Sequence, residues 1–256
     1  MHTVRIERDG GIATVTMDRP QKKNAVTIEM AQELLATLAD VAANRDDRVL
    51  VLTGAGGAFC SGADLTDPSA LTDDSMGYMR RVGDLVLALH RLPKPSIAKV
   101  AGVATGLGCN LALGCDLIVA SDDARFSEIF ARRGLSIDGG GSWLLPRLVG
   151  MHRAKELALF ADILSASEAN EVGLVNRVVP PGELDAVVGE WAARLAAGPP
   201  IALSMTKTML NNSFAVSMEQ AVEDEARCQN VNFRTADTAE AMAAFVQKRE
   251  PRFTGS

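Results

Sequence analysis

Three glycine-bearing segments hold the residue types best suited to chemistry: FCSGADL at 59–65, GLGCNLALGCD at 106–116 and SIDGGGSWLLPR at 136–147. The first two are turns that follow strand-like runs, and glycine there permits tight turning and close backbone approach. A helix opening at the second turn leaves its first amides unpaired, with a dipole that favours negative charge. One N–H from each turn can therefore share a developing oxyanion on a carbonyl oxygen. The third segment sets a lone carboxylate, Asp138, before a glycine run. Paired backbone donors with one acid suit the movement of a proton beside a polarised carbonyl. Each glycine pattern taken singly is also what an ordinary strand–helix turn looks like, and Asp138 also fits a helix N-cap. The glycine spacing is not that of a dinucleotide site, because no acidic residue follows a second strand at the required distance.

The elements that must position these residues alternate between strand and helix. Residues 3–8 and 12–18 alternate around Asp9-Gly10-Gly11, the pattern of a β-hairpin. Thr27 is placed to cap a helix in which Met30, Ala31, Leu34, Leu35, Leu38 and Val41 form one apolar stripe. RVLVLTG (48–54), PKPSIAKVAG (93–102) and DLIVA (116–120) predict strands, with a short helix near 108–114. The stretch 66–92 is the least regular and reads as a mobile segment over the site. Helices are predicted over 141–149, 151–161, 167–172, 183–197, 200–213, 217–233 and 236–248, with a strand at 174–179. The last two helices carry apolar stripes that must pack on the core or on another subunit.

The chain has 256 residues, 47% of them hydrophobic, enough to bury one sizeable core. A net charge of −6 speaks against nucleic acid as a partner. No apolar run reaches the roughly 18 residues of a membrane span. The polar start MHTVRIERDGG lacks the apolar centre of a secretion signal, so a cytoplasmic location is expected. Cys60, Cys109, Cys115 and Cys228 show neither a C-x-x-C pair nor metal spacing with His2, His90 or His152, so no metal is expected.

Six segments in register resemble the enoyl-CoA hydratase/isomerase, or crotonase, family: RPQKKNAV (19–26), GAFCSGADL (57–65), PKPSIAKVAGVATGLGCNLALGCD (93–116), SIDGGGSWLLPRLVG (136–150), GLVNRVVP (173–180) and FVQKREPRFTG (245–255). The resemblance implies an α/β fold, a spiral of ββα turns with a helical C-terminal trimerisation region. It implies one unit over 1–256, with a spiral core to about residue 195 and the helical region over 196–256. The substrate would be a coenzyme A thioester and the assembly a homotrimer or hexamer. No cofactor is implied, because coenzyme A enters as part of the substrate. By the same resemblance, the main-chain N–H groups of Ala63 and Leu107 form the oxyanion hole. Substrate contacts fall on Lys23, Ala25, Ala63, Asp64, Leu65, Gly106, Asn110, Phe130, Phe245 and Lys248.

Hydratases of this family hold and activate water with two glutamates, and the matching positions here are Asn110 and Phe130. An amide is no general base, and a phenyl ring holds no water by charge. Glu128 would share a side with Phe130 on an extended segment and so could stand in for the missing glutamate, yet with Asp64 and Asp116 it is read as structural. Asp138 is the remaining acid. Its position resembles that of the catalytic aspartate in dienoyl-CoA isomerases, in the ring-modifying isomerase of phenylacetate breakdown and in 4-chlorobenzoyl-CoA dehalogenase. The WLLPR that follows is closest to the second of these. In an apolar pocket near Phe130 its pKa would rise, which helps it take and return a proton. The expectation is proton-shuttle isomerisation of an unsaturated acyl-CoA through Asp138. The alternatives are hydration by a non-standard site, dehalogenase-like attack by Asp138 (with Phe130 where that enzyme has a tryptophan), and an inactive acyl-CoA-binding protein. Trp143 could line the acyl pocket but is read as a core residue on an apolar helix face, and His90 as surface or partly buried.

Overall fold

The alternation around Gly10-Gly11 closes as a hairpin, with β1 (Val4–Asp9) antiparallel to β2 (Ile12–Met17). The computed structural model describes residues 2–67 and 75–256. Thr27 caps α1 (Ile28–Ala43) by accepting from the Met30 N–H, and the predicted stripe buries Met30, Ala31, Leu34, Leu38 and Val41. β3 (Val49–Gly54) is the VLVLTG run. Its residues are apolar on both faces because both faces of the parallel sheet are covered.

The chain continues through α2 (Ser75–His90), β4 (Ser96–Val100), β5 (Val103–Thr105), α3 (Leu107–Leu113), β6 (Leu117–Ser121) and β7 (Arg125–Ser127). A short 3-10 turn over 129–133 leads to α4 (Gly141–Val149) and α5 (Met151–Phe160). There follow β8 (Leu164–Ser165), α6 (Ala166–Glu171), β9 (Arg177–Val179) and α7 (Leu184–Ala196), then α8 (Pro200–Asn212), α9 (Met218–Asn232) and α10 (Ala236–Gln247). The first sheet has the order β1-β2-β3-β4-β6-β9, parallel from β2 onward, and the second has the order β5-β7-β8. Each of β4 and β6 hands the chain to a short strand of the second sheet, which stacks the loops after β3 and β4 on one edge.

The irregular reading of 66–92 is corrected over its larger part. Val82, Leu85, Val86 and Leu89 recur at helical spacing and bury one face of α2, while methionines, arginines and glycines on the other positions diluted the pattern. Residues 68–74 lie outside the described residues. α7 covers the opposite face of the first sheet, packing Val187, Val188 and Ala192 on Val49, Val51, Ile97 and Val119. In one chain α9 buries no residue, and Phe214, Val222, Phe233, Met242, Phe245 and Val246 are exposed, so these stripes do not find the core. Among the described residues no helix is long and apolar enough to cross a membrane.

Candidate active site

Two turns meet beyond the C-terminal ends of β3 and β4. Cys60 bridges Ala104, its N–H donating to Val103 O at 2.9 Å and its carbonyl accepting from Thr105 N at 3.0 Å. The Thr105 hydroxyl adds a bond to Ser61 O at 3.1 Å. Gly108, in the first turn of α3, comes so close that a Cβ there would sit 2.2 Å from the Cys60 carbonyl oxygen. Only glycine lets these turns touch. From the other side, Val26 donates to Gly62 O and accepts from Asp64 N, both at 2.8 Å. This parallel bridge uses the amides flanking Ala63 and turns the Ala63 N–H away from Val26. Leu107 opens α3, so its N–H belongs to the set a helix cannot pair. Neither amide has an acceptor among the described residues. A Cβ on Gly62 would lie 3.8 Å from Leu107 N, which sets the two donors side by side.

The acid is set in the turn that packs on Leu107 and Asn110 of α3. Asn110 is fully buried and donates through Nδ2 to Asp138 O at 2.9 Å and to Glu128 Oε2 at 3.2 Å. Gly141 packs on the same amide, where a Cβ would come within 2.7 Å of Nδ2. Asp138 is not the N-cap of α4. That place belongs to Gly140, and it is the Asp138 carbonyl, not its carboxylate, that accepts from Gly141 N at 3.0 Å. The carboxylate is left for the site, with Oδ1 buried and without a partner. Burial pushes the Asp138 carboxyl up to about 6. Glu128 is pushed up to about 7, chiefly by burial, with hydrogen bonds from Cys109 and Asn110 opposing and the charge of Asp138 adding. Phe130 is buried and packs against Gly106, next to the Leu107 amide.

Two free amides and one half-buried, weakly acidic carboxyl are the parts needed to form and quench an enolate. A family model described as enoyl-CoA hydratase/isomerase matches residues 7–256. The chain belongs to the enoyl-CoA hydratase/isomerase family. It is 40% identical over 255 residues to a Rhodobacter capsulatus protein named "Probable enoyl-CoA hydratase", covering 99% of this chain and 98% of that one. It is also 40% identical over 252 residues to the 1,2-epoxyphenylacetyl-CoA isomerase of Escherichia coli, covering 96% and 95%. The crystal structure of enoyl-CoA hydratase from Bacillus anthracis matches with a TM-score of 0.95 at 30% identity, over 99% of this chain and 100% of that one. The fold is therefore the crotonase fold that the resemblance implied, with its helical C-terminal region.

Within this family member, Ala63, Gly106, Leu107, Asn110, Phe130 and Asp138 come together. Lys23 is exposed at φ 49°, and its carbonyl accepts from Ser61 N at 2.9 Å, which brings the RPQKKNAV turn against FCSGADL. Ala25 is buried in that turn and its carbonyl accepts from Arg19. Leu65 is exposed at the rim. The Asp64 carboxylate accepts from Thr66 Oγ1 at 2.6 Å and pairs with Arg19 at 3.0 Å, bonds that lower its pKa. Its side chain is thus a strut between the two N-terminal motifs. Asp116 is likewise structural, bound to Ser96 and to Lys207 at 2.8 Å. Phe245 and Lys248 do not join the cluster within one chain. Phe245 is 84% exposed on α10, and the tail that follows is tied through Thr254 to Arg48, at the opposite end of β3.

Trp143 is not a core residue. Gly141, Leu144 and Leu145 form the buried face of α4, and Trp143 is rotated off it. It walls a cleft of about 530 Å³ between α2, α4 and α8, edge-on to His90 at 5.2 Å with Arg147 stacked on its face at 3.9 Å. Two further groups stand beside Asp138: Tyr78, which sequence reasoning missed, and Glu128, which it weighed and read as structural. Tyr78 on α2 is half-buried, and its pKa is raised by burial and then by the charge of Asp138. Glu128 was placed on an extended segment, but the 3-10 turn beginning at Ile129 sends its side chain inward to α3. The signal available was an acid set in an otherwise apolar run, FSEIF.

Proposed function

We propose that this enzyme moves the double bond of an unsaturated acyl-CoA by shuttling one proton through Asp138. The ionised carboxylate takes a proton from a carbon activated by the thioester. The electron pair left behind delocalises onto the thioester oxygen, which the Ala63 and Leu107 amides hold. Asp138 then returns the same proton to the other end of the allylic system, so the double bond shifts and no water is gained or lost. The thioester supplies the acidity and the amides take the charge, so the proposal calls on no cofactor. Lys23, Ala25 and Leu65 would lie along the coenzyme A, and Phe245 and Lys248 would reach it from another copy in a trimer or hexamer.

The observation that carries this reading is the Asp138 carboxylate, left uncapped and unpartnered with its pKa raised to about 6. A base poised near neutral pH can both accept and give back a proton. The relative named as an isomerase supports the reading, and the relative named as a hydratase keeps hydration as its rival. A two-substrate assay decides between them: crotonyl-CoA hydration against 3-enoyl- or dienoyl-CoA isomerisation, followed by absorbance and mass. Isomerisation without a mass gain, abolished in Asp138→Asn, is the expected result. Efficient hydration would overturn it.

A further inference from the structure

The shuttle as described leaves Glu128 without a task, although it is the most enclosed carboxyl in the site, with 3% of its surface exposed. The groups facing it are Cys109 and Asn110 from α3 and Asp138 from the turn before α4. Tyr78, from α2, faces Asp138. None of these is a cation, and no ion pair reaches Glu128 among the described residues. The Cys109 thiol is itself pushed up by burial and then by Glu128, so it offers no compensating charge.

A buried carboxylate without a cation is unfavourable, and such a group keeps its proton instead. The hydrogen-bond pattern points the same way. Asn110 Oδ1, Glu128 Oε1 and Asp138 Oδ1 are all buried, and all lack a partner. Two fully ionised carboxylates would leave three acceptors and no donor between them. A proton on Glu128 turns one of those acceptors into a donor.

We propose that Glu128 is a positioning residue that stays protonated while Asp138 works. Its carboxyl anchors Asn110, Asn110 holds the Asp138 main chain, and the retained proton leaves Asp138 as the single negative charge beside the forming enolate. The inference rests on the shuttle reading for its kinetic consequence, though not for the protonation itself. Two neighbouring carboxyls titrate as a pair, the first proton leaving at the lower pH. The lower step belongs mainly to Asp138 and switches the base on. The upper step belongs mainly to Glu128 and adds a second negative charge that opposes the enolate, so activity falls again at higher pH.

The test is infrared spectroscopy of the purified protein through a pH titration. Above the pH at which Asp138 ionises, a carboxylic-acid carbonyl band should remain, be missing from Glu128→Gln at that pH, and survive in Asp138→Asn as the one such band of the cluster. In Asp138→Asn its midpoint should move to lower pH, because a negative neighbour has been removed. Absence of the band, or an unmoved midpoint in Asp138→Asn, overturns the proposal even if Glu128→Gln fails to fold. These spectra need no substrate, so they decide the protonation whether or not the isomerase reading stands. In the kinetic arm, Glu128→Gln should lose the alkaline fall of kcat/KM. Glu128→Ala should lower kcat at least tenfold further than Glu128→Gln, with little change in KM. An alkaline fall that persists in Glu128→Gln would assign that limb to another group and sink the coupling.

Discussion

The amides of Ala63 and Leu107 are held by main-chain bonds and by glycine packing, whereas Asp138 belongs to a side-chain cluster with Asn110 and Glu128 in which all three side chains carry a buried, unpartnered oxygen. On the first side, the strand bridges at Val26 and Cys60 engage the Cys60, Asp64 and Thr105 amides and leave those of Ala63 and Leu107 without an acceptor. On the second side, Asn110, Glu128 and Asp138 make two hydrogen bonds among themselves, and two of the three titrate near neutrality. The two free amides belong to the fold and do not depend on which side chains occupy 63 and 107. The acid belongs to the residue identities at 110, 128, 130 and 138. Relatives of one fold named as hydratase and as isomerase are what such a division permits.

The comparison is broken most sharply by Asp138→Asn. It leaves the two amides untouched and removes the carboxylate proposed to carry the proton, so isomerisation should fall about 10²–10⁴-fold, the range of general acid–base catalysis. KM should change little, which steady-state kinetics would show. A loss of less than tenfold would mean that the proton is carried elsewhere.

Gly108→Ala attacks the other half without touching the acid. The new methyl would need the space of the Cys60 carbonyl oxygen, 2.2 Å away, so α3 and the 59–65 turn must separate. Overpacking of this kind costs about 1–3 kcal/mol of stability. Misplacing one of two oxyanion donors costs on the order of 3 kcal/mol in kcat. Denaturant melts and kcat measured together would test both. Full activity in a folded Gly108→Ala protein would remove Leu107 from the hole.

The pH profile separates the halves without a mutation. Asp138 must be ionised to accept a proton, so kcat/KM should fall about tenfold per unit as the pH drops below its pKa of about 6. The amides do not titrate, so binding of an unreactive acyl-CoA thioester should change far less over that range. Parallel loss of binding and turnover would show that the two sides are not separable.

Legibility in the sequence followed the same division. The two turns were readable because their parts are local: turns after strands, a helix starting at Leu107, and glycine where backbones touch. Most strand and helix positions from β1 to α10 followed from periodicity, but two parts did not. In α2 the buried stripe is interrupted by Gly83 and flanked by polar residues. In the second sheet, β5, β7 and β8 are only two or three residues long, too short to show alternation. The acid cluster was half legible. Asp138 stands out as a carboxylate before glycines, but nothing local says that Glu128 turns toward Asn110 18 residues earlier. That contact depends on a 3-10 turn at Ile129, which no periodicity announces. Trp143 was misplaced for a related reason: an apolar helix has two possible faces, and only packing against α2 and α8 decides which is wet.

The smallest effect, and the one that sharpens the contrast furthest, concerns stability. The Asp138 carboxyl rises from 3.8 to about 6 on folding, so the folded state disfavours its charge. That cost is absent below about pH 4, grows as the pH rises toward 6 and is constant above it. Asp138→Asn removes the charge altogether. It should therefore leave stability nearly unchanged at pH 4 and raise it at pH 8 by about 1 kcal/mol, reduced by solvent screening because the group is only part-buried. For a chain of this size that is about 2–4 °C in Tm. Thermal melts at the two pH values would show it, and an equal shift at both would place the effect in packing rather than charge. Gly108→Ala should lose stability at either pH, since nothing it disturbs titrates. A substitution that abolishes turnover while stabilising the fold marks a residue held under strain for chemistry, whereas one that damages both marks scaffold.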